Sequence, residues 1–150
     1  MQKIFLVFIG VVAVVLLGFF ALNAFIYNEK QADTSMIAIT DTSWTWTTTL
    51  LAAEGAFTPN EPERFVLTFE TDGRFGSSTD CNTMGGNYTM DGASLSFGEI
   101  ISTKMYCEGS QEATYAEQLG NVVAYVISEE GSLMLTLQDD QGTMVFVQAD

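Results

Sequence analysis

From Ser43 onward the chain is cut into short alternating runs by turn signals at intervals of roughly ten residues, and this cadence restricts the fold more than any other feature. Asp72-Gly73, Asp91-Gly92, Glu129 to Gly131 and Asp139 to Gly142 are the clearest breaks. Asp-Gly pairs supply the positive φ values that tight hairpins require. Between the breaks, Phe65, Leu67 and Phe69 alternate with Val66, Thr68 and Glu70, so one strand there buries an aromatic face. Trp44, Trp46, Thr48 and Leu50 are expected to share one face of a first strand. Asn87 to Met90, Ala93 to Phe97, Ile100 to Cys107, Val122 to Ser128, Leu133 to Leu137 and Thr143 to Val147 continue the meander. Glu54 to Glu63 holds both prolines, Pro59 and Pro62, and reads as a surface loop because each proline removes a ladder donor.

One helix interrupts the strands. Ser110 is a plausible N-cap, Glu112 lies in the first turn where the helix dipole favours negative charge, and Tyr115, Leu119 and Val122 fall at i, i+4 and i+7. About eight short strands around one helix predict a mainly β fold: a small antiparallel β-barrel, closed or incomplete, with the helix covering or plugging the sheet.

Ile4 to Tyr27 is a run without a charge, which as a helix is about 36 Å long against a hydrocarbon core of about 30 Å. Lys3 and the N-terminus precede it, and Glu29, Lys30 and Asp33 follow. This charge bias predicts a single transmembrane helix with the N-terminus in the cytoplasm and the remainder in the periplasm or outside the cell. A cleaved secretory signal with Leu22-Asn23-Ala24 at its end is the competing reading, but the run is long for an h-region of about 7–15 residues. The organisation expected is thus an anchor over residues 1–28, a tether over 29–42 and one domain over 43–150, about the commonest domain size.

Net charge is −14, with only Lys3, Lys30, Arg64, Arg74 and Lys104 basic, which leaves no footprint for a phosphate backbone and excludes nucleic acid as a partner. An acidic surface is also repelled by anionic headgroups. The chain has no histidine. That removes Ser-His-Asp and Cys-His catalysis, His-based metal sites and the commonest general base near neutral pH. We therefore expect no catalytic residue, no metal and no cofactor. Met84, Met90, Met105, Met134 and Met144 read as core filling rather than a thioether metal site. Asp139-Asp140 and Glu129-Glu130 read as solvated turns, because neither shows the spaced ligands of a calcium loop.

Cys81 and Cys107 are the only cysteines, and in an exported domain they read by default as a disulfide. A loop of about 27 residues would then contribute on the order of 3.6 kcal/mol. Free buried thiols, or a redox or metal pair, are the alternatives. Asn82 and Asn87, beside Gly85-Gly86, read as groups that satisfy backbone in a tight turn. Trp44, Phe65, Phe69 and Phe97 belong to an aromatic set large enough either to fill a small core or to line an apolar ligand groove.

The residues Phe69, Asp72, Gly73 and Arg74, then Cys81-Asn82 with Gly86 and Tyr88, then Thr103, Met105 and Cys107, together with Trp44 and the helix positions Glu112, Tyr115 and Leu119, resemble the META domain, the HslJ-like heat-shock family. The resemblance spans roughly Ser43 to Val147. It departs at Asp80, where that family usually has Gly before the Cys-Asn pair; where the backbone needs a positive φ, Asp can supply it at some cost. The resemblance implies a small barrel-like fold with a helical insertion and a role in envelope stress, heat or antibiotic tolerance, exerted by binding rather than catalysis. The expected partners are the membrane through the N-terminal helix, and envelope proteins or an apolar ligand. A carrier or sensor of a lipid inside the barrel is the second reading; an enzyme using an acidic pair or a cysteine is the third.

Overall fold

The computed structural model describes residues 39–40, 42–53 and 55–149. Ten strands alternate with turns: β1 (Ser43–Leu51), β2 (Gly55–Phe57), β3 (Val66–Phe69), β4 (Arg74–Ser78), β5 (Thr83–Asp91), β6 (Ser94–Phe97), β7 (Ile101–Ser102), β8 (Val122–Ile127), β9 (Leu133–Leu137) and β10 (Gly142–Gln148). One helix, α1 (Glu112–Gly120), lies between β7 and β8. Eight strands pair antiparallel in the order β1-β3-β4-β5-β6-β8-β9-β10, and β10 returns to β1 with Trp44 opposite Gln148 and Leu51 opposite Gly142. The barrel is therefore closed. Its two short strands hang on the ring, β2 on β1 and β7 on β5.

Sequence alternation places the core. Phe65, Leu67, Phe69, Leu133, Leu135 and Leu137 all point inward and are 3 % exposed or less. Trp46 sits among Phe57, Phe65 and Tyr115 with ring centroids 5.6, 5.3 and 5.0 Å away, while Phe69, Phe75, Tyr88 and Phe97 form a second aromatic cluster. Such pairs add about 0.5–1.5 kcal/mol each beyond the area they bury. α1 covers the interior with Tyr115 and Leu119, both fully buried.

Three local differences from the sequence expectation have clear causes. In β1 the pairing with β10 shifts between Trp46 and Thr48, and such a bulge reverses which residues face inward. Thr49 is consequently buried, accepting from Trp46 Nε1 (3.1 Å) and donating to Gln118 Oε1 (2.6 Å), whereas Leu50 is 48 % exposed. Of the strand expected over Ile100 to Cys107 only Ile101–Ser102 forms, because the backbone at Met105 bonds to a side chain rather than to a strand. Ile39, assigned by sequence to the tether, is fully buried in the core, and its carbonyl accepts from Trp44 Nε1 at 3.0 Å. The expected transmembrane run over residues 4–27 lies outside the described residues; among those described, no helix is long and apolar enough to cross a membrane.

Candidate functional site

β4 ends at Ser78, and the turn into β5 carries Thr79, Asp80, Cys81 and Asn82 beneath the loop that leads from β7 to α1. Asn82 is 7 % exposed and acts as a surrogate strand for that loop. Its Oδ1 accepts from the Thr103 hydroxyl (2.7 Å) and the Met105 N–H (2.9 Å), and its Nδ2 donates to the Met105 carbonyl at 3.2 Å. The Asn82 N–H donates to Thr79 Oγ1 (2.8 Å) and Glu112 Oε2 (3.0 Å), and the Ser102 hydroxyl donates to Glu112 Oε1 at 2.8 Å. Glu112 thus joins the turn, β7 and the helix start. Asp80 supplies the remaining tie: Oδ1 accepts from the Ser110 hydroxyl (2.6 Å) and Oδ2 from the Gln111 N–H (2.7 Å), while Ser110 Oγ accepts from the Glu112 N–H at 3.2 Å. Gln111, not the expected Ser110, is the N-cap of α1, and side chains take two N–H groups at this end: Asp80 that of Gln111 and Ser110 that of Glu112. Asp80 is not among the described non-glycine residues with positive φ, which are Asp139 and Asp140 alone. Where the resemblance would place a glycine for backbone freedom, this chain has a carboxylate that caps the helix.

Cys81 and Cys107 are bonded, with Cα atoms 5.8 Å apart. The disulfide pins the far end of the loop whose middle Asn82 holds. Gly86 and Tyr88 have equally structural surroundings. A Cβ on Gly86 would meet the Glu99 carbonyl and, at 3.0 Å, the Phe75 ring. Tyr88 packs its ring edge-on to Phe69 (5.1 Å) and donates its hydroxyl to the Glu70 carbonyl at 2.8 Å. Burial, then the nearby Asp72 and Glu70 charges, push the Tyr88 hydroxyl pKa up. On the opposite side of the scale, the Arg74 side chain hydrogen-bonded to Asp72 lowers that exposed carboxyl's pKa.

The turn and loop together build an apolar depression of about 300 Å³ on the barrel flank, with the disulfide at its edge. Met84, Ile100, Ala113 and Ala116 line it, and Met105 and Tyr106 form an outer rim. Met105 is 64 % exposed and Tyr106 is 91 % exposed. A second, more open groove of about 660 Å³ runs over Gly76, Gly85 and Gly86 and is walled by Ile101 and Thr103. By contrast, Trp44, Phe65, Phe69 and Phe97 are 1, 0, 2 and 9 % exposed and belong to one buried core cluster. The aromatic faces offered by sequence as a groove are turned onto neighbouring core side chains.

The polar groups of this arrangement are used internally. The oxygens of Asn82, Asp80 and Glu112 are engaged by hydroxyls and amides, and the cysteines are joined. Among the described residues, no three His, Cys, Asp or Glu side chains are grouped so as to hold a metal. Binding through the apolar depression is what the geometry offers. Thr79, Ser102 and the capping role of Asp80 were not evident from sequence, because their partners lie 10 to 33 residues away. A signal for the rim existed: Met105 and Tyr106 are adjacent apolar residues after the polar Ser102-Thr103-Lys104, a pattern that does not alternate as a half-buried strand would.

Residues 37–150 match the family described as the META domain. A solved structure of a protein from Burkholderia xenovorans is similar at 25 % identity and a TM-score of 0.62, over 77 % of this chain and 86 % of that one. A DUF4847 family protein from Bacteroides vulgatus shares the fold at 19 % identity and a TM-score of 0.57, over 73 % of this chain and 93 % of that one. No curated protein sequence matches.

Proposed function

Because this chain belongs to the META-domain family, we propose that it is a non-enzymatic binding domain of the cell envelope, held at the membrane by residues 1–28 and acting through the depression beside the disulfide. The observation that carries this reading is the contrast within one site. The side chains of Asp80 and Asn82 are spent on holding the loop and the helix start, while the loop turns Met105 and Tyr106 outward, Tyr106 being 91 % exposed. The Cys81–Cys107 bond supports an oxidising compartment, hence the periplasm or the cell exterior. The charge bias about residues 4–27 supports a cytoplasmic N-terminus. Resemblance to the HslJ-like heat-shock family supports a stress role, in heat or antibiotic tolerance.

The test is fractionation of cells producing the full chain. It is expected to stay with membranes through an alkaline carbonate wash, to be digested by protease added outside the cytoplasmic membrane, and to resist alkylation until reduced. Recovery as a soluble cytoplasmic protein with two reactive thiols would overturn the reading. An apolar ligand is the alternative partner, a reading supported by the surface depression: about 300 Å³ is the lower end of small-ligand sites. Solvent extraction of the purified chain followed by mass spectrometry checks it, and a stoichiometric co-purifying lipid is the positive result.

A further inference from the structure

We propose that the exposed segment carrying Ile101, Lys104, Met105 and Tyr106, of which Met105 and Tyr106 rim the depression, is a lipid-contacting face that rests on the surface of a phospholipid bilayer. The inference rests on the membrane-tether reading above and names the occupant of the same site. Ile101, Met105 and Tyr106 are 68, 64 and 91 % exposed within six consecutive residues. Exposure of that degree means the fold gains little from these side chains, so the transfer free energy of their apolar surface is available to an external apolar phase. Charge selects the phase. Among the described residues, Arg64 and Arg74 are ion-paired with Glu61 and Asp72, and Lys104 is in none of the ion pairs. Among the described residues, the cation outside those pairs thus stands in sequence between exposed Ile101 and exposed Met105. The rest of the surface is repelled by lipid phosphates, and this loop is the face that can approach them.

The residue types suit an interface. Tyr has an apolar ring and a polar tip, Lys extends its stem along apolar surface while its ammonium stays with phosphate, and unbranched Met adapts to disordered chains. Glu99 and Glu108 flank the rim and limit the contact to the headgroup and upper acyl region. Reach argues for the bilayer over a diffusing protein. Ile39 is already in the core, so the linker from the apolar run is residues 28–38, which extend to no more than about 40 Å. The bilayer surface is therefore always within reach of a domain of this size. A protein adding a strand here would find β7 only two residues long.

The experiment uses the full chain in phosphatidylcholine vesicles with a minority of phosphatidylglycerol, with and without brominated acyl chains, and compares Tyr106→Trp with Glu129→Trp. Trp44 and Trp46 are buried and set a common background. The tryptophan at position 106 is expected to lose about half of its added emission to the brominated lipid and to shift blue, as interfacial side chains do, and the one at 129 to change little. Tyr106→Trp with Lys104→Glu is expected to reverse that quenching while the near-ultraviolet circular dichroism stays native. Equal quenching at 106 and 129, or shielding of 106 only when an envelope protein extract is added, would overturn the proposal. Flotation with the vesicles after a carbonate wash separates the two readings. A chain that does not float fails the tether reading, and one that floats with position 106 unquenched fails this one alone.

Discussion

Asn82 shows how one side chain can stand in for a strand. It gives the Met105 backbone both a donor and an acceptor, so Asn82→Ala leaves two loop backbone groups without these partners and the Thr103 hydroxyl without its acceptor. The expected loss is about 2–3 kcal/mol, read as a lower urea midpoint with unchanged slope. Asn82→Asp keeps the acceptor, loses the donor and sets a second carboxylate beside Glu112, so it is expected to destabilise at neutral pH and to recover part of the loss in acid. Tyr115 sets the behaviour at the other extreme of pH. Burial pushes its hydroxyl pKa well above the ordinary tyrosine range, and the 2.9 Å hydrogen bond with Ser77 offsets only part of that. The unfolded chain then ionises first: stability is intact below about pH 10 and falls as pH rises beyond it, by up to about 1.4 kcal/mol per unit for this group. Tyr115→Phe is expected to cost about 1 kcal/mol at neutral pH through the lost Ser77 bond and to make the alkaline limb of the stability curve shallower. Urea titrations between neutral pH and alkali measure both effects.

Elements were legible from sequence where side chains alternate and opaque where a side chain replaces backbone. β3, β9 and α1 follow from the periods of Phe65-Leu67-Phe69, Leu133-Leu135-Leu137 and Tyr115-Leu119, because one face of each is buried and the period states which. The disulfide followed from the count of two cysteines and an export reading. The β1 bulge did not, since nothing local in Trp46-Thr47-Thr48-Thr49 marks the residue at which the face changes; β10 imposes it by its pairing. Asn82 was legible as a residue that satisfies backbone, but not that the backbone was Met105. The same elements make β5 sensitive to a single methyl group. Gly86→Ala drives a Cβ into the Glu99 carbonyl and the Phe75 ring, both held within the fold, so repacking cannot fully relieve it. A loss of about 3 kcal/mol is expected, whereas Gly120→Ala, at the helix end where the added Cβ meets nothing within 4 Å, is expected to be neutral or to stabilise by up to about 1 kcal/mol. Thermal melts of the two variants make the comparison, and equal shifts would refute the close-approach argument.

For the molecule as a whole, closure of the ring is uneven. β1 and β10 share pairs along nearly their full lengths, whereas β6 and β8 meet at one residue pair, Ser94 with Ala124, with the Tyr125 N–H donating to the Ala93 carbonyl at 3.0 Å beside it. A barrel with such a seam has one natural place to open below the global unfolding free energy. α1 bears on the seam from its own side, since it packs against β6 and leads directly into β8, while its Tyr115 reaches across the interior to Trp46, Phe65 and Phe146. Leu119→Ala should therefore act in two ways. It is expected to cost about 2–5 kcal/mol globally, as a truncated core leucine does. It should also lower protection at the β6–β8 seam by more than at β1 and β10, because the lost contact belongs to the element that bridges the weak pairing. Native-state hydrogen exchange separates the two effects. If the Ala124 and Tyr125 amides lose no more protection than those of Trp46 and Phe146, the ring unfolds as one unit and the helix is a passive cover. A larger loss at the seam would make α1 the closing element of the barrel; the loop that positions α1 through Asp80, Asn82 and the disulfide would then govern closure of the ring and the shape of the depression together.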